Sequence, residues 1–509
     1  MRTFSIILSV LLTIHCNGQQ PYTAPQFADS TAFQKMQAAF PIIEKIYHDY
    51  AKSNHFPSIT YGVVANGKLV FSGSTGVSNL TTKAAASTKT VYRIASMSKS
   101  FTAMAILKLR DEGKLNLSDP VSKYIPEFQN VKPLTTDAPP ITIQHLMTMS
   151  AGFPEDNPWG DQQLSATDQE LLAFVRRGLS LSNVPGVNYE YSNLGFALLG
   201  RIITNVSYMP YQRYITDNIL KPLGMNDSYY EYRDAPAAQL AIGYRWEEEQ
   251  WKEEPLLPDG AYGAMGGMLC SLEDFAKYAA FHLNAWPPRN DADKGPVNRS
   301  SIREMHQPGR ISNVFNVKTA NGADCATASG YAYGLGWRRD CNGIVRIAHS
   351  GGLPGFGSEW RIYPDYGIGV ISFSNRTYGA PSQANAIALD TILAIAGLKP
   401  RVLSAVPLLE ATKEQLMKIL PNWSAKETSE IFAENFFLDE SLALRKAHTQ
   451  QLFQEAGAIQ KIGTVQAQNQ LRGQFIIECT QKNIHVFFTM TPEAKPLVQQ
   501  LDVWVEEKK

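Results

Sequence analysis

Strand-forming runs stand at two places far apart in the chain, with a long helical stretch between them. "SITYGVVANGKLVFSGSTG", residues 58–76, holds two short β-rich runs joined at Asn66-Gly67, a pair that tolerates positive φ and so favours a tight hairpin. "IVRIAH", "GSEWRIYP" and "IGVISFSN", residues 344–375, are closely spaced runs separated by tight turns, the pattern of an antiparallel meander. From about 115 to 340 the chain reads as helices and loops rich in Pro and Gly, including "TIQHLMTMSAGFP" and "LGFALLGRIITNV". A hairpin alone cannot stabilise a sheet in water. The two strand sets are therefore expected to share one sheet, with the helical stretch inserted between them, a helix at 33–55 before it and a helix at 382–397 covering it.

Around "LKPRVLSAVP", residues 398–407, the pattern breaks, and a second unit begins. It contains helical "TKEQLMKIL", then "SEIFAENFF", "GQFIIECT" and "IHVFFTM", which predict a small α+β domain. The expected division is residues 1–18 as a signal peptide, 19–400 as the main unit and 401–509 as a small C-terminal domain of unknown role, through which a partner could be contacted. Neither repeats nor low-complexity tracts interrupt this order.

The N-terminal "MRTFSIILSVLLTIHCNGQQ" carries basic Arg2, an apolar run from Phe4 to Ile14, and small residues Cys16 and Gly18 placed for cleavage. That run is too short to span a bilayer, which takes about 20 residues. The expectation is an exported, periplasmic or secreted protein without a transmembrane span; lipid attachment at Cys16 is the alternative, disfavoured by His15. Lys plus Arg and Asp plus Glu are equal at 47 each, so no overall field draws the chain to nucleic acid. No Cys-x-x-Cys pair signals a metal or redox site, and neither metal nor cofactor is expected. Cys325 and Cys341 bracket a glycine-broken strand and turn that could bring them together in an oxidising compartment; two free thiols are the other reading.

Three constellations carry chemistry. Ser96 and Lys99, at i and i+3, share one face of a predicted helix among apolar Ile94, Ala95 and Phe101. Desolvation there would lower the lysine pKa, so that a neutral amine could accept the serine proton, and the helix N-terminus would favour a developing oxyanion. Taken alone, the pair also fits a capping serine and a surface lysine. In "YEYSNLGFALLGRII", Tyr191 and Asn193 can face one cleft, as a proton carrier and a carbonyl-binding donor. In "IAHSGGLPGFG", a strand carries His349 and Ser350 into Gly351 and Gly352, where a substrate can approach the backbone closely.

In this order, Ser-x-x-Lys, Tyr-Ser-Asn and His-Ser-Gly resemble the motifs of the serine β-lactamase and penicillin-binding protein superfamily. The tyrosine version looks like the branch of class C β-lactamases, D-Ala-D-Ala carboxypeptidases and related esterases. "LSDPVSKYIPEF", "ILKPLGMNDS" and "GAMGGMLCSLEDFAKY" are similar to stretches of that branch, and the likeness covers about residues 35–395. It implies an α+β fold in which an antiparallel sheet flanked by helices abuts a helical domain, with the cleft between them. It also implies Ser96 as nucleophile, Lys99 and Tyr191 sharing the acid and base work, and Asn193 on the substrate amide. His349, Ser350 and Gly351 would bind substrate, His349 also orienting Tyr191, and the Ser96 and Gly352 N–H groups would form the oxyanion hole. Two departures stand out: His349 replaces the lysine of typical β-lactamases, and Met149 replaces a histidine common in relatives.

The resulting expectation is a serine hydrolase working through an acyl-enzyme on D-amino-acid peptides, amides or esters, with a small-molecule or peptide substrate. The alternatives are a β-lactamase proper and a penicillin-binding or peptide-sensing protein that does not turn over.

Overall fold

The structure is a computed structural model that describes residues 22–318, 322–423 and 431–508. The predicted signal peptide and Cys16 lie outside these residues. Two compact units divide the chain: Ala28–Pro400, and Arg401–Lys509 together with the residues up to Phe27. Gln26 belongs to the second unit because it bridges to Val402, its N–H donating to the Val402 carbonyl at 3.0 Å.

In the larger unit, nine strands among the described residues form one sheet in the order Ala84–Ala85, Lys68–Asn79, Ser58–Ala65, Ile368–Ser374, Phe356–Tyr363, Val345–Leu353, Gly336–Arg339, Asp324–Tyr331, Arg310–Lys318. Each neighbouring pair is antiparallel, and the first hairpin closes onto the last strand of the meander through Ile59 opposite Ser374 and Val63 opposite Val370. Asn66 and Gly67 make the hairpin turn with φ of 54° and 72°, which is why that dipeptide stands there. The sheet thus unites the two ends of the unit, as the strand signals require.

One boundary differs from expectation. Residues 310–318 were expected to belong to the helix-and-loop stretch, yet they add a strand to the meander, next to the glycine-broken strand expected between Cys325 and Cys341, which is present as Asp324–Tyr331 and Gly336–Arg339. Arg310–Lys318 is exposed along most of its length on both faces, so it shows no inside–outside alternation from which a strand could be recognised. Cys325 and Cys341 are joined as a disulfide with Cα atoms 5.2 Å apart, tying the strand Asp324–Tyr331 to the turn after Gly336–Arg339.

The core of this unit is built around the helix Ser98–Asp111, which is buried on nearly every side, its buried Ser98, Lys99 and Thr102 each hydrogen-bonded. Phe101 stacks on Tyr278 at 3.8 Å, and Thr102 donates to the Ala264 carbonyl at 2.6 Å. Helices Asn193–Ser207 and Gly263–Gly266 pack against it. The helix Ser382–Ala396 lies on the sheet, capped by Gly397 at φ 58°.

The second unit has its own apolar core, in which helix Pro407–Ile419 and strands Arg472–Cys479, Lys482–Met490 and Val498–Glu507 meet. Its sheet is antiparallel among the described residues. No helix among the described residues is long and apolar enough to cross a membrane.

Candidate active site

Ser96 sits in the single turn Ala95–Met97 that leads into the core helix, and the chain enters that turn through Ala95 at φ 48°, a left-handed conformation costly for a residue with a Cβ. The turn is held from three sides. The Ile94 N–H donates to the Met268 carbonyl at 2.9 Å, the Ile94 carbonyl accepts from Ser358 Oγ at 2.7 Å, and Ser98 Oγ donates to the Ala95 carbonyl at 2.7 Å. Gly351 lies directly against it, and any Cβ there would collide with the Ile94 carbonyl oxygen. The glycine of the third motif is thus required by packing against the serine turn.

Lys99 is 0% exposed. Among the described residues its Nζ meets three oxygens: Asn193 Oδ1 at 2.6 Å, the Met265 carbonyl at 2.9 Å and Ser96 Oγ at 3.0 Å. The two oxygens of Asn193 and Met265 can only accept. A neutral amine has two N–H donors and one lone pair, so with both donors committed the lone pair points to the Ser96 hydroxyl. Burial pushes the Lys99 amine down to about 7, against the opposing charge of Asp161. The surface-lysine alternative is therefore excluded by the burial of this side chain.

Tyr191 lies beside this pair, its ring centroid 4.9 Å from Lys99 Nζ. Burial raises its phenol well above the ordinary value, with a hydrogen bond to Ser96 acting the other way. It is a proton-bearing group at neutral pH. Asn193 begins the helix Asn193–Ser207, and the end of that helix is saturated with acceptors: Asp156 takes the Asn193 N–H at 2.6 Å and the Leu194 N–H at 2.9 Å, while Ser192 Oγ takes the Gly195 N–H at 3.2 Å. Asn193 Nδ2 donates to Asn157 Oδ1 at 3.1 Å, so its amide is oriented from both ends.

His349 is 8% exposed. Its Nδ1 lies 2.5 Å from the Ser350 carbonyl, an acceptor, and so carries the proton; Nε2 then accepts from the Tyr331 hydroxyl at 2.9 Å. Burial, and next the charge of Lys99, push the ring down to about 4, leaving it neutral. His349 meets Tyr191 by ring packing, with centroids 6.3 Å apart, while its nitrogens are engaged elsewhere. Ser350 is exposed on the strand, and the Tyr378 ring lies against Gly352, 2.8 Å from where a Cβ would sit.

Several residues here carry no local signal in the sequence. Tyr331 fixes the tautomer of His349. Asp156 caps the Asn193 helix from a separate loop. Tyr378, from the loop after Ile368–Ser374, donates at 3.0 Å to Asp161, whose carboxyl burial raises to about 6. Met149 supports the second motif: its Sδ accepts the Ser192 N–H at 3.2 Å, its carbonyl accepts the Glu190 N–H at 2.9 Å, and its backbone is left-handed at φ 54°. The sulfur thus supplies the acceptor that positions Tyr191 and Asn193.

The structure gathers Ser96, Lys99, Tyr191, Asn193 and His349 at one place. The sequence model of the family described as Beta-lactamase matches residues 43–394. This chain belongs to the β-lactamase family. "Protein flp" of Staphylococcus aureus (strain NCTC 8325 / PS 47) is 34% identical over 340 residues, 65% of this chain and 62% of that protein, so the chain spans less than two thirds of this relative's length. An octameric penicillin-binding protein homologue from Pyrococcus abyssi has a similar fold, with a TM-score of 0.58 at 23% identity over 92% of this chain and 98% of that one. A penicillin-binding protein from Bacillus halodurans aligns with a TM-score of 0.54 at 24% identity over 70% of this chain and 98% of that chain. The large antiparallel sheet with its helices is thus the fold of the β-lactamase family, extended here by a second sheet-bearing unit.

Proposed function

We propose that this member of the β-lactamase family is an exported serine hydrolase that forms an acyl-enzyme at Ser96 on a D-amino-acid peptide, an amide or an ester. The observation that carries this reading is the 3.0 Å contact between Lys99 Nζ and Ser96 Oγ, at an amine whose two donor positions are already occupied. Neutral Lys99 takes the hydroxyl proton as Ser96 Oγ attacks the carbonyl. Tyr191, held protonated, delivers a proton to the leaving group. The N–H groups of Ser96 and Gly352 receive the oxyanion. Export rests on the pattern of the first 18 residues. The C-terminal unit carries none of the three motifs.

A neutral His349 leaves no permanent cation at that position to grip the carboxylate of a β-lactam, which favours peptide, amide or ester substrates over a β-lactamase proper. The test is a time course with a reporter ester, followed in parallel by intact-protein mass spectrometry. Steady turnover with a transient adduct on Ser96 supports the hydrolase. A stoichiometric burst with a persistent adduct favours the penicillin-binding sensor, and rapid turnover confined to β-lactams favours the β-lactamase.

A further inference from the structure

The sheet of the larger unit ends differently at its two edges. One edge is the two-residue strand Ala84–Ala85, too short to offer much to a further strand. The other is Arg310–Lys318, nine residues that pair, among the described residues, only with Asp324–Tyr331. Its outer side therefore presents backbone N–H and C=O groups over about 30 Å. Edge strands are ordinarily protected by proline, by charges in mid-strand, or by a covering helix or loop. This strand has no proline, and its charges stand only at its two ends. Between them aliphatic side chains meet solvent: Ile311 is 51% exposed, Val314 67% and Val317 43%. The one irregularity in its pairing falls between Ile311 and Asn313, which leaves Asn313–Lys318 in continuous register. The neighbouring strand is fixed in turn, because Cys325, opposite Val317, is joined to Cys341. An edge already held in place loses little freedom on pairing.

The order of residues in "RISNVFNVK" points to what pairs there. From either end it runs cation, aliphatic, polar: Arg310, Ile311, Ser312 from one side and Lys318, Val317, Asn316 from the other, with Val314 at the centre. Only Asn313 and Phe315 are unlike. A strand laid antiparallel on its own copy about Val314 thus sets aliphatic against aliphatic and polar against polar, the self-complementarity that a twofold contact requires. An unrelated peptide added to the edge would need no such mirror order.

We infer that Arg310–Lys318 is an interface on which a second copy of this chain lays its own Arg310–Lys318, antiparallel and centred on Val314, so that one sheet continues through both copies. Ile311 then meets the partner's Val317, Ser312 meets the partner's Asn316, and Val314 faces the partner's Val314. The end cations come opposite each other, but each is already engaged: Arg310 donates to the Val187 carbonyl at 2.5 Å, and Lys318 pairs with Asp324 at 2.8 Å. Ser312 and Asn313 also line a cavity of about 860 Å³ beside Tyr191 and His349, so the second copy borders the candidate site. The pairing does not depend on which reaction that site performs.

The test is the mass of the full chain in solution, measured by sedimentation over a range of concentrations. The parent is expected to be a dimer that dissociates on dilution. Val314→Lys and Val314→Glu each set like charges face to face and should weaken the dimer roughly tenfold or more. An equimolar mixture of the two should recover it, because each lysine then meets a glutamate. Val314→Cys should cross-link to itself on oxidation with diamide, whereas Ile311→Cys and Val317→Cys should cross-link efficiently only when mixed. The free thiols among the described residues, Cys270 and Cys479, are buried and stay silent. Circular dichroism checks folding, and the cysteine variants carry the test if a charged one fails to fold. A parent still monomeric at roughly 100 µM overturns the pairing. So does a dimer indifferent to Val314→Lys, a mass that keeps rising with concentration past two copies, or Ile311→Cys that cross-links to itself as well as to Val317→Cys.

Discussion

Lys99 Nζ lies 2.6 Å from Asn193 Oδ1, nearer than its 3.0 Å approach to Ser96. The amide oxygen orients the amine without adding a charge, and that neutrality keeps the amine's affinity for protons low. Since burial brings Lys99 to about 7, the unprotonated fraction rises with pH through that value. The acid limb of kcat/KM for ester hydrolysis should therefore have its midpoint near 7. Asn193→Asp places a carboxylate against the amine and stabilises its protonated form, so the limb should move to higher pH by roughly one to three units. A limb unmoved by that substitution would separate Lys99 from the base step.

A second titration concerns stability. His282 Nδ1 and His306 Nε2 are 2.7 Å apart in the core, and Trp286 Nε1 donates to His306 Nδ1 at 2.9 Å. His306 then carries its proton on Nε2 and gives it to His282, whose own Nε2 has no partner among the described residues. Burial lowers both rings, His306 to about 3. Between about 6.5, where an unfolded histidine titrates, and the lowered folded values, the unfolded chain binds more protons. The stability these neutral rings contribute is complete above that range and is lost as pH falls, by about 1.4 kcal/mol per pH unit for each histidine. Urea unfolding at pH 7, 6 and 5 measures it. His306→Gln retains an acceptor for Trp286 but does not titrate, and should flatten the slope; equal slopes in parent and variant would disprove the assignment.

Which parts of the site were legible in the sequence follows from the distance over which each contact is made. Ser96 and Lys99 could be paired because one helical turn joins them, and Asn66-Gly67 because the turn needs only its own two residues. The shared sheet followed from strand sets too small to stand apart. Asp156, Met149 and Tyr331 were not legible because each acts across a loop on a residue remote in sequence, through an acceptor or hydroxyl that many side chains could supply. Arg310–Lys318 was missed for the opposite reason: with little of either face buried, it has no pattern to show. For His349 the sequence suggested contact with Tyr191, but only the fold reveals that Tyr331 and the Ser350 carbonyl occupy its nitrogens.

The two units have separate apolar cores, one centred on Phe101 and Trp360, the other on Phe475 and Phe488. All three motifs belong to Ala28–Pro400. A chain of residues 28–400 should therefore fold and keep ester hydrolysis. Circular dichroism and the reporter assay decide it; a folded but inactive product would make the C-terminal unit part of the site.

The sharpest prediction concerns the serine itself. An unactivated hydroxyl is a poor nucleophile near neutral pH, and here a desolvated amine stands one helical turn away, its Nζ 3.0 Å from the oxygen. Ser96→Ala should abolish covalent labelling by a fluorophosphonate or penicillin probe. Lys99→Ala should slow acylation roughly a thousandfold, a barrier increase of about 4 kcal/mol. Tyr191→Phe keeps the ring that packs beside Lys99 and removes only the proton donor, so its loss should be nearer a hundredfold, roughly the size of one acid–base partner. Adduct formation followed by intact mass, with folding verified in each variant, gives the rates. An adduct on the Ser96→Ala protein at the parent rate would place the nucleophile elsewhere, whereas a Tyr191→Phe loss as deep as that of Lys99→Ala would mean that the phenol, despite its raised pKa, takes the serine proton as well.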